Sequence, residues 1–178
     1  MNRVAKRGLI GLFVSVLLII FDQFTKLLAV KFLKDQEPFV IWENVFELRY
    51  LENRGAAFGI MQGQKIFFVI FTSIAIVAIA WFFLKKIPAD KKYRFLDIIC
   101  VMLFAGAIGN LIDRVRLNYV IDFFYFNLID FPIFNVADIY VTVAAFAMLG
   151  LGMFYYKDED YDLIFPSKKE KGKKEYAD

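Results

Sequence analysis

The chain has 178 residues, 60% of them hydrophobic and 19% aromatic, with a mean hydropathy of +0.53 and a formal net charge of +3. Soluble domains are about 45–50% apolar, so this composition excludes an ordinary soluble protein and leaves room for one compact membrane domain with few spans. Histidine is absent, which excludes His-based Ser or Cys triads and the His-containing zinc protease motifs. Ser15 and Ser73 lie in apolar runs and Ser167 in a charged stretch, with no nucleophile elbow around any of them. The single cysteine, Cys100, allows neither an intrachain disulfide nor a thiolate metal site and reads as a small buried hydrophobe. Any acid–base chemistry therefore falls to Asp, Glu, Lys or Tyr, and no cofactor or metal is expected.

Four apolar segments predict transmembrane helices at about Gly8–Val30, Ile66–Leu84, Phe95–Ile112 and Ile133–Tyr155. Each is close to the ~20 residues that cross a bilayer, and a helix satisfies its own backbone groups there. Arg3, Lys6 and Arg7 precede the first segment. Lys85, Lys86, Lys91, Lys92 and Arg94 fill the connection between the second and third, and Lys157, Lys168, Lys169, Lys171, Lys173 and Lys174 follow the fourth. The positive-inside rule places these three regions, and both termini, on the cytoplasmic side. The other two connections mix acids and bases and face outward. A basic start and an apolar run fit a cleaved signal peptide, but Asp22 and Lys26 sit inside the run and no small-x-small site follows, so a retained helix is expected.

The first outer connection carries Phe39-Val-Ile-Trp-Glu-Asn-Val-Phe-Glu-Leu-Arg-Tyr-Leu51, rich in β-branched and aromatic residues, with Glu43-Asn44 as a turn. It predicts a β-hairpin or small sheet on the outer leaflet. Trp42, Tyr50 and Phe123-Phe-Tyr-Phe126 suit the interfacial aromatic belt. The expected organisation is one membrane domain over residues 1–156, with a β-cradle at about 34–60, and a charged, unstructured cytoplasmic tail over 157–178 whose lysines meet membrane lipids.

Five polar clusters interrupt the apolar chain: Asp22-Gln-Phe-Thr-Lys26, Asn53-Arg-Gly-Ala-Ala-Phe-Gly59, Gly109-Asn-Leu-Ile-Asp-Arg114, Val120-Ile-Asp-Phe123 and Phe134-Asn-Val-Ala-Asp138. An ionisable group at membrane depth costs about 2.5–3.5 kcal/mol on insertion scales, so several together point to chemistry or transport. Asp22 and Lys26 share a helix face in the favourable order for an ion pair, which serves structure as readily as function. Gly55 and Gly59 permit tight turns, and Asn53 can hydrogen-bond an extended peptide or simply sit in a turn. Ala105, Gly106 and Gly109 let helices approach closely beside Asn110, Asp113 and Arg114, where Arg114 either holds a carbonyl or pairs with Asp113. Asn135 reads as an N-cap and Asp138 as a first-turn acid favoured by the helix dipole. Pro132 separates Asp122 from Asp138, so the two belong to different elements and can face each other across a cleft.

Two carboxylates that share a site do not easily both ionise. One takes a proton from water while the other hydrogen-bonds a carbonyl, and the roles then reverse at the leaving amine. The five clusters, in this order between four spans, resemble the lipoprotein signal peptidase (signal peptidase II) family over about residues 8–155. The resemblance implies a four-helix membrane aspartyl endopeptidase with a small extracytoplasmic β-sheet cradle and a short outer segment between helices three and four. It would remove the signal peptide from diacylglyceryl-prolipoproteins just before the lipid-modified cysteine. It implies Asp122 and Asp138 as the catalytic dyad and Asp22, Asn53, Asn110, Arg114 and Asn135 as substrate-holding or supporting residues, with Lys26, Gly55 and Asp113 mainly structural. It further implies a multi-pass protein of the bacterial plasma membrane, active near the outer leaflet and blocked by cyclic peptide antibiotics such as globomycin. A monomer that binds no nucleic acid is expected.

Three rival readings compete. A small ion or proton transporter would use the intramembrane carboxylates as a relay. A non-catalytic assembly factor would tolerate conservative changes at Asp122 or Asp138. Another intramembrane aspartyl protease class would need a Gly-x-Gly-Asp motif, which the sequence lacks.

Overall fold

The structure, a computed structural model, describes residues 3–55 and 63–166. In chain order the elements are α1 (Arg3–Leu33), β1 (Phe39–Trp42), β2 (Phe46–Asn53), α2 (Lys65–Lys85), α3 (Arg94–Leu117), β3 (Val120–Tyr125), α4 (Val136–Phe154) and α5 (Asp158–Ile164). A short 3-10 turn, Lys91–Tyr93, leads into α3, and another, Asn127–Ile129, follows β3. Of the sequence-derived features, Gly59 and the lysines from Lys168 onward lie outside the described residues.

α1 to α4 are each long and apolar enough to cross a membrane. Their outward faces carry Phe13, Leu17, Phe24, Phe71, Val77 and Phe146, all more than half exposed or close to it, which is the pattern expected when lipid rather than water is the solvent. α3 is the hub and packs on α1, α2 and α4. Small residues set these distances: a Cβ on Gly106 would meet the Ala137 carbonyl oxygen at 2.6 Å and Val141 at 2.8 Å. α2 buries none of its residues and leans on α3 from one side.

The connections between α1 and α2 and between α3 and α4 form one antiparallel sheet in the order β1-β2-β3. The expected hairpin joins β1 to β2, with Asn44 at φ 58 in its turn, a left-handed conformation that Asn tolerates. β3 pairs with β2, aligning Asp122 with Leu51 and Val120 with Asn53. The sheet rests on α1 through a core of Ala29, Leu33, Ile121, Phe123 and Val136. The short segment between α3 and α4 thus contributes a strand, which continuous burial from Val120 to Phe123 explains.

α1 starts five residues before the expected Gly8, at Arg3, and α3 runs five past the expected Ile112, to Leu117; two further features differ from expectation. α4 begins at Val136 rather than Ile133, because Phe134 is held in an isolated bridge with Phe124. Residues 158–164, expected to be unstructured, form α5. Three acids open its first turn, where the helix dipole favours them. Asp160 accepts hydrogen bonds from Lys157 N at 3.0 Å and Tyr93 Oη at 2.8 Å and pairs with Lys92, while Ile164 joins the core formed by Ile87, Tyr93, Leu96, Cys100 and Tyr156.

Candidate active site

The site lies where the sheet end of α1 and α3 meets the start of α4. Asp22 and Lys26, one turn apart on α1, are almost fully buried, so their charges need partners at once. Lys26 Nζ lies 3.0 Å from Asp22 Oδ2 and 2.9 Å from Asp113 Oδ2, and it donates to Asn110 Oδ1 at 2.9 Å. Asp22 Oδ1 accepts from the backbone N–H of Ala137 at 3.0 Å, which binds α1 to the first turn of α4. Asp113 Oδ2 accepts from Ile121 N at 3.2 Å and so fixes the entry to β3. Gly109 makes room: a Cβ there would meet Asp22 Oδ2 at 2.5 Å. Gln23 completes this layer by donating to Asp22, the Gly109 carbonyl and Asp113.

Lys26 also orients an amide. With Asn110 Oδ1 facing the ammonium, the Asn110 Nδ2 turns to Asp138 Oδ1 at 2.8 Å. Asn135 caps α4: its Oδ1 accepts from Asp138 N at 3.0 Å, and its own backbone N–H donates to Asp138 Oδ2 at 3.1 Å, a reciprocal capping box. The cap leaves Asn135 Nδ2 free to donate to Asp122 Oδ1 at 2.6 Å and to Asn110 Oδ1 at 3.1 Å. Asn53, on the neighbouring strand, donates to Asp122 Oδ2 at 2.9 Å. Its Oδ1 accepts from Gly55 N at 3.0 Å, and Arg114 donates to the Gly55 carbonyl at 3.4 Å while its guanidinium lies over the Phe68 ring.

All ten candidate residues therefore join one hydrogen-bonded network, with Arg114 and Gly55 at its rim. Asp122 and Asp138, from β3 and α4, line the same cleft of about 500 Å³ with Asn53. Its walls are apolar, among them Phe126, Ile129, Phe131 and Ile139. Burial, then the charge of Asp138, pushes the Asp122 carboxyl up to about 7, against the hydrogen bonds from Asn53 and Asn135 that favour its ionised form. The network can thus hold a proton between two acids near neutral pH. Gln23 was not singled out from the sequence, although an amide beside Asp22 at membrane depth was the available signal.

Residues 14–154 match the family model described as signal peptidase (SPase) II. The chain belongs to this family. A lipoprotein signal peptidase of Clostridium tetani is 39% identical over 153 residues, covering 84% of this chain and 94% of that protein. Another, of Caldanaerobacter subterraneus subsp. tengcongensis, is 42% identical over 135 residues, covering 75% and 88%. A bacterial membrane enzyme solved by the in meso method at 2.3 Å resolution superposes with a TM-score of 0.73 at 34% identity, covering 83% of this chain and 92% of that one. Membership of signal peptidase II makes the chain a peptidase of the bacterial membrane and gives no support to a transporter.

Proposed function

We propose that the chain is an aspartic-type endopeptidase that removes signal peptides from prolipoproteins by means of Asp122 and Asp138. The observation that carries this reading is that carboxylates from two different elements open into one apolar cleft while Asn135 donates to both, through Nδ2 to Asp122 and through its backbone N–H to Asp138. With one proton between them, the ionised carboxylate takes a proton from water as its oxygen adds to the scissile carbonyl carbon. The protonated partner donates to the carbonyl oxygen, giving a neutral gem-diol. The carboxyl that gained the water's proton passes it to the departing nitrogen as the C–N bond breaks, and a gem-diol hydroxyl returns its proton to the other acid. The products are a new carboxyl terminus and a free amine, and the shared proton is restored.

The apolar cleft walls and the exposed, apolar β1 suit a substrate that arrives from lipid carrying acyl chains. The substrate is accordingly a diacylglyceryl-prolipoprotein cut before its modified cysteine, and the cleft faces the outer leaflet with both termini cytoplasmic. Asn53, Arg114 and the backbone near Gly55 hold the extended peptide, while Asp22, Lys26, Asn110 and Asp113 brace the site. The test is the full chain in liposomes with matched acylated and non-acylated peptides. Only the acylated peptide is cleaved, globomycin stops the reaction, and D122N and D138N insert and fold but do not cleave. Substantial cleavage by either folded variant overturns the dyad.

A further inference from the structure

The end of the bundle away from the sheet holds a second feature that the peptidase chemistry does not use. A groove of about 730 Å³ runs between α1 and α3. Its floor is apolar, formed by Ile10, Val14 and Leu18 of α1 and Ile98, Val101 and Met102 of α3. Its rim is cationic: Arg3, Lys6, Arg7, Lys91 and Arg94 all line it. At 1.5 Å per residue, Lys6 lies about 24 Å along α1 from Asp22, so this groove and the aspartate cleft occupy opposite ends of the molecule.

The groove's own acids offset only part of this charge. Two acids also line the groove: Asp90 accepts from Lys92 N at 2.8 Å, and Asp97 Oδ1 lies 3.7 Å from Arg7 Nη1 with no hydrogen-bond partner. Arg7 spends its terminal nitrogens on the carbonyls of Phe83, Ile87 and Pro88, yet its Nε is buried with no hydrogen-bond partner. Among the described residues no carboxylate forms an ion pair with Arg3, Lys6, Lys91 or Arg94. Five cations against two carboxylates leave the rim of this apolar trough net positive, which matches a phosphate with acyl chains attached.

We propose that this groove is a binding site for one anionic diacyl phospholipid of the surrounding membrane. The headgroup phosphate sits among Arg3, Lys6, Lys91 and Arg94, and an acyl chain lies along the floor. The site clamps the start of α1 to the start of α3 and is separate from the cleft that takes the lipid-modified substrate.

Native mass spectrometry of the detergent-purified full chain tests it, with phosphatidylglycerol and phosphatidylcholine of identical acyl chains as probes. The wild type retains one phosphatidylglycerol and little phosphatidylcholine. A juxtamembrane cation contributes about fivefold to anionic-lipid affinity, so K6Q/R94Q and, independently, R3Q/K91Q each weaken phosphatidylglycerol binding about 25-fold. Peptide cleavage is unchanged, and K31Q/K34Q near the sheet leaves lipid binding intact. Equal retention of the two lipids, wild-type phosphatidylglycerol binding by both groove variants, or an equal loss in K31Q/K34Q overturns the proposal.

Discussion

Asn135 has two separable duties, and substitution can part them. Its Oδ1 caps α4 through Asp138 N, and its Nδ2 donates to Asp122 at 2.6 Å. Loss of a cap costs about 1 kcal/mol, and loss of a hydrogen bond to a charged group about 1.5–3 kcal/mol. With its further bond to Asn110 Oδ1, N135A should lower stability by about 3–5 kcal/mol. Serine is as good an N-cap as asparagine, so N135S should recover about 1 kcal/mol of that. It cannot, however, place a donor on Asp122. Burial and the nearby Asp138 already hold the Asp122 carboxyl up at about 7, and Asn135 opposes them, so its loss raises that value further and leaves less of the ionised form at neutral pH. Thermal unfolding in detergent and cleavage of an acylated peptide together decide the matter. Both variants lose most activity although N135S is the more stable. An N135S enzyme with wild-type cleavage would show that the amide does not set the protonation of the pair.

Four other outcomes are expected. K26M removes the cation that compensates Asp22 and Asp113, so it should cost about 3–5 kcal/mol and lower Tm by roughly 10 °C in a thermal scan. Cleavage by the wild type should fall on the acid side of about 7, as the Asp122 carboxylate takes up a proton. N53A deletes a donor that favours ionised Asp122, so a pH–rate series should show that limb moving to higher pH. A carboxyl whose folded pKa is raised from 3.8 to about 7 binds its proton more tightly when folded. Its contribution to stability is therefore full below about pH 4 and declines toward pH 7, and unfolding titrations of D122N should lack that slope.

Local signals in the sequence reached the structure where a short stretch decides the outcome. The four-residue spacing of Asp22 and Lys26 gave their pairing, Glu43-Asn44 gave the hairpin turn, and the clustering of Gly106 and Gly109 gave the close approach of α4. What was hidden depends on distant partners. β3 shows no alternation because it is covered on both faces from Val120 to Phe123, and a strand of that kind reads as an apolar loop. The start of α4 waits on the Phe124–Phe134 bridge. The proximity of Asp22 to Ala137 N spans 115 positions and has no local trace. α5 was legible in principle, since Asp158, Glu159 and Asp160 form an acidic first turn, but the surrounding charge masked it.

The polar cluster draws on α1, β2, α3, β3 and the first turn of α4, so the order of synthesis constrains when it can exist. A nascent chain that has not yet reached Asn135 carries Asp122 without its amide and Asp22 without the Ala137 N–H. Both acids of the proposed pair become poised only after the last span has inserted. A protease built this way stays inert until its final span is in place.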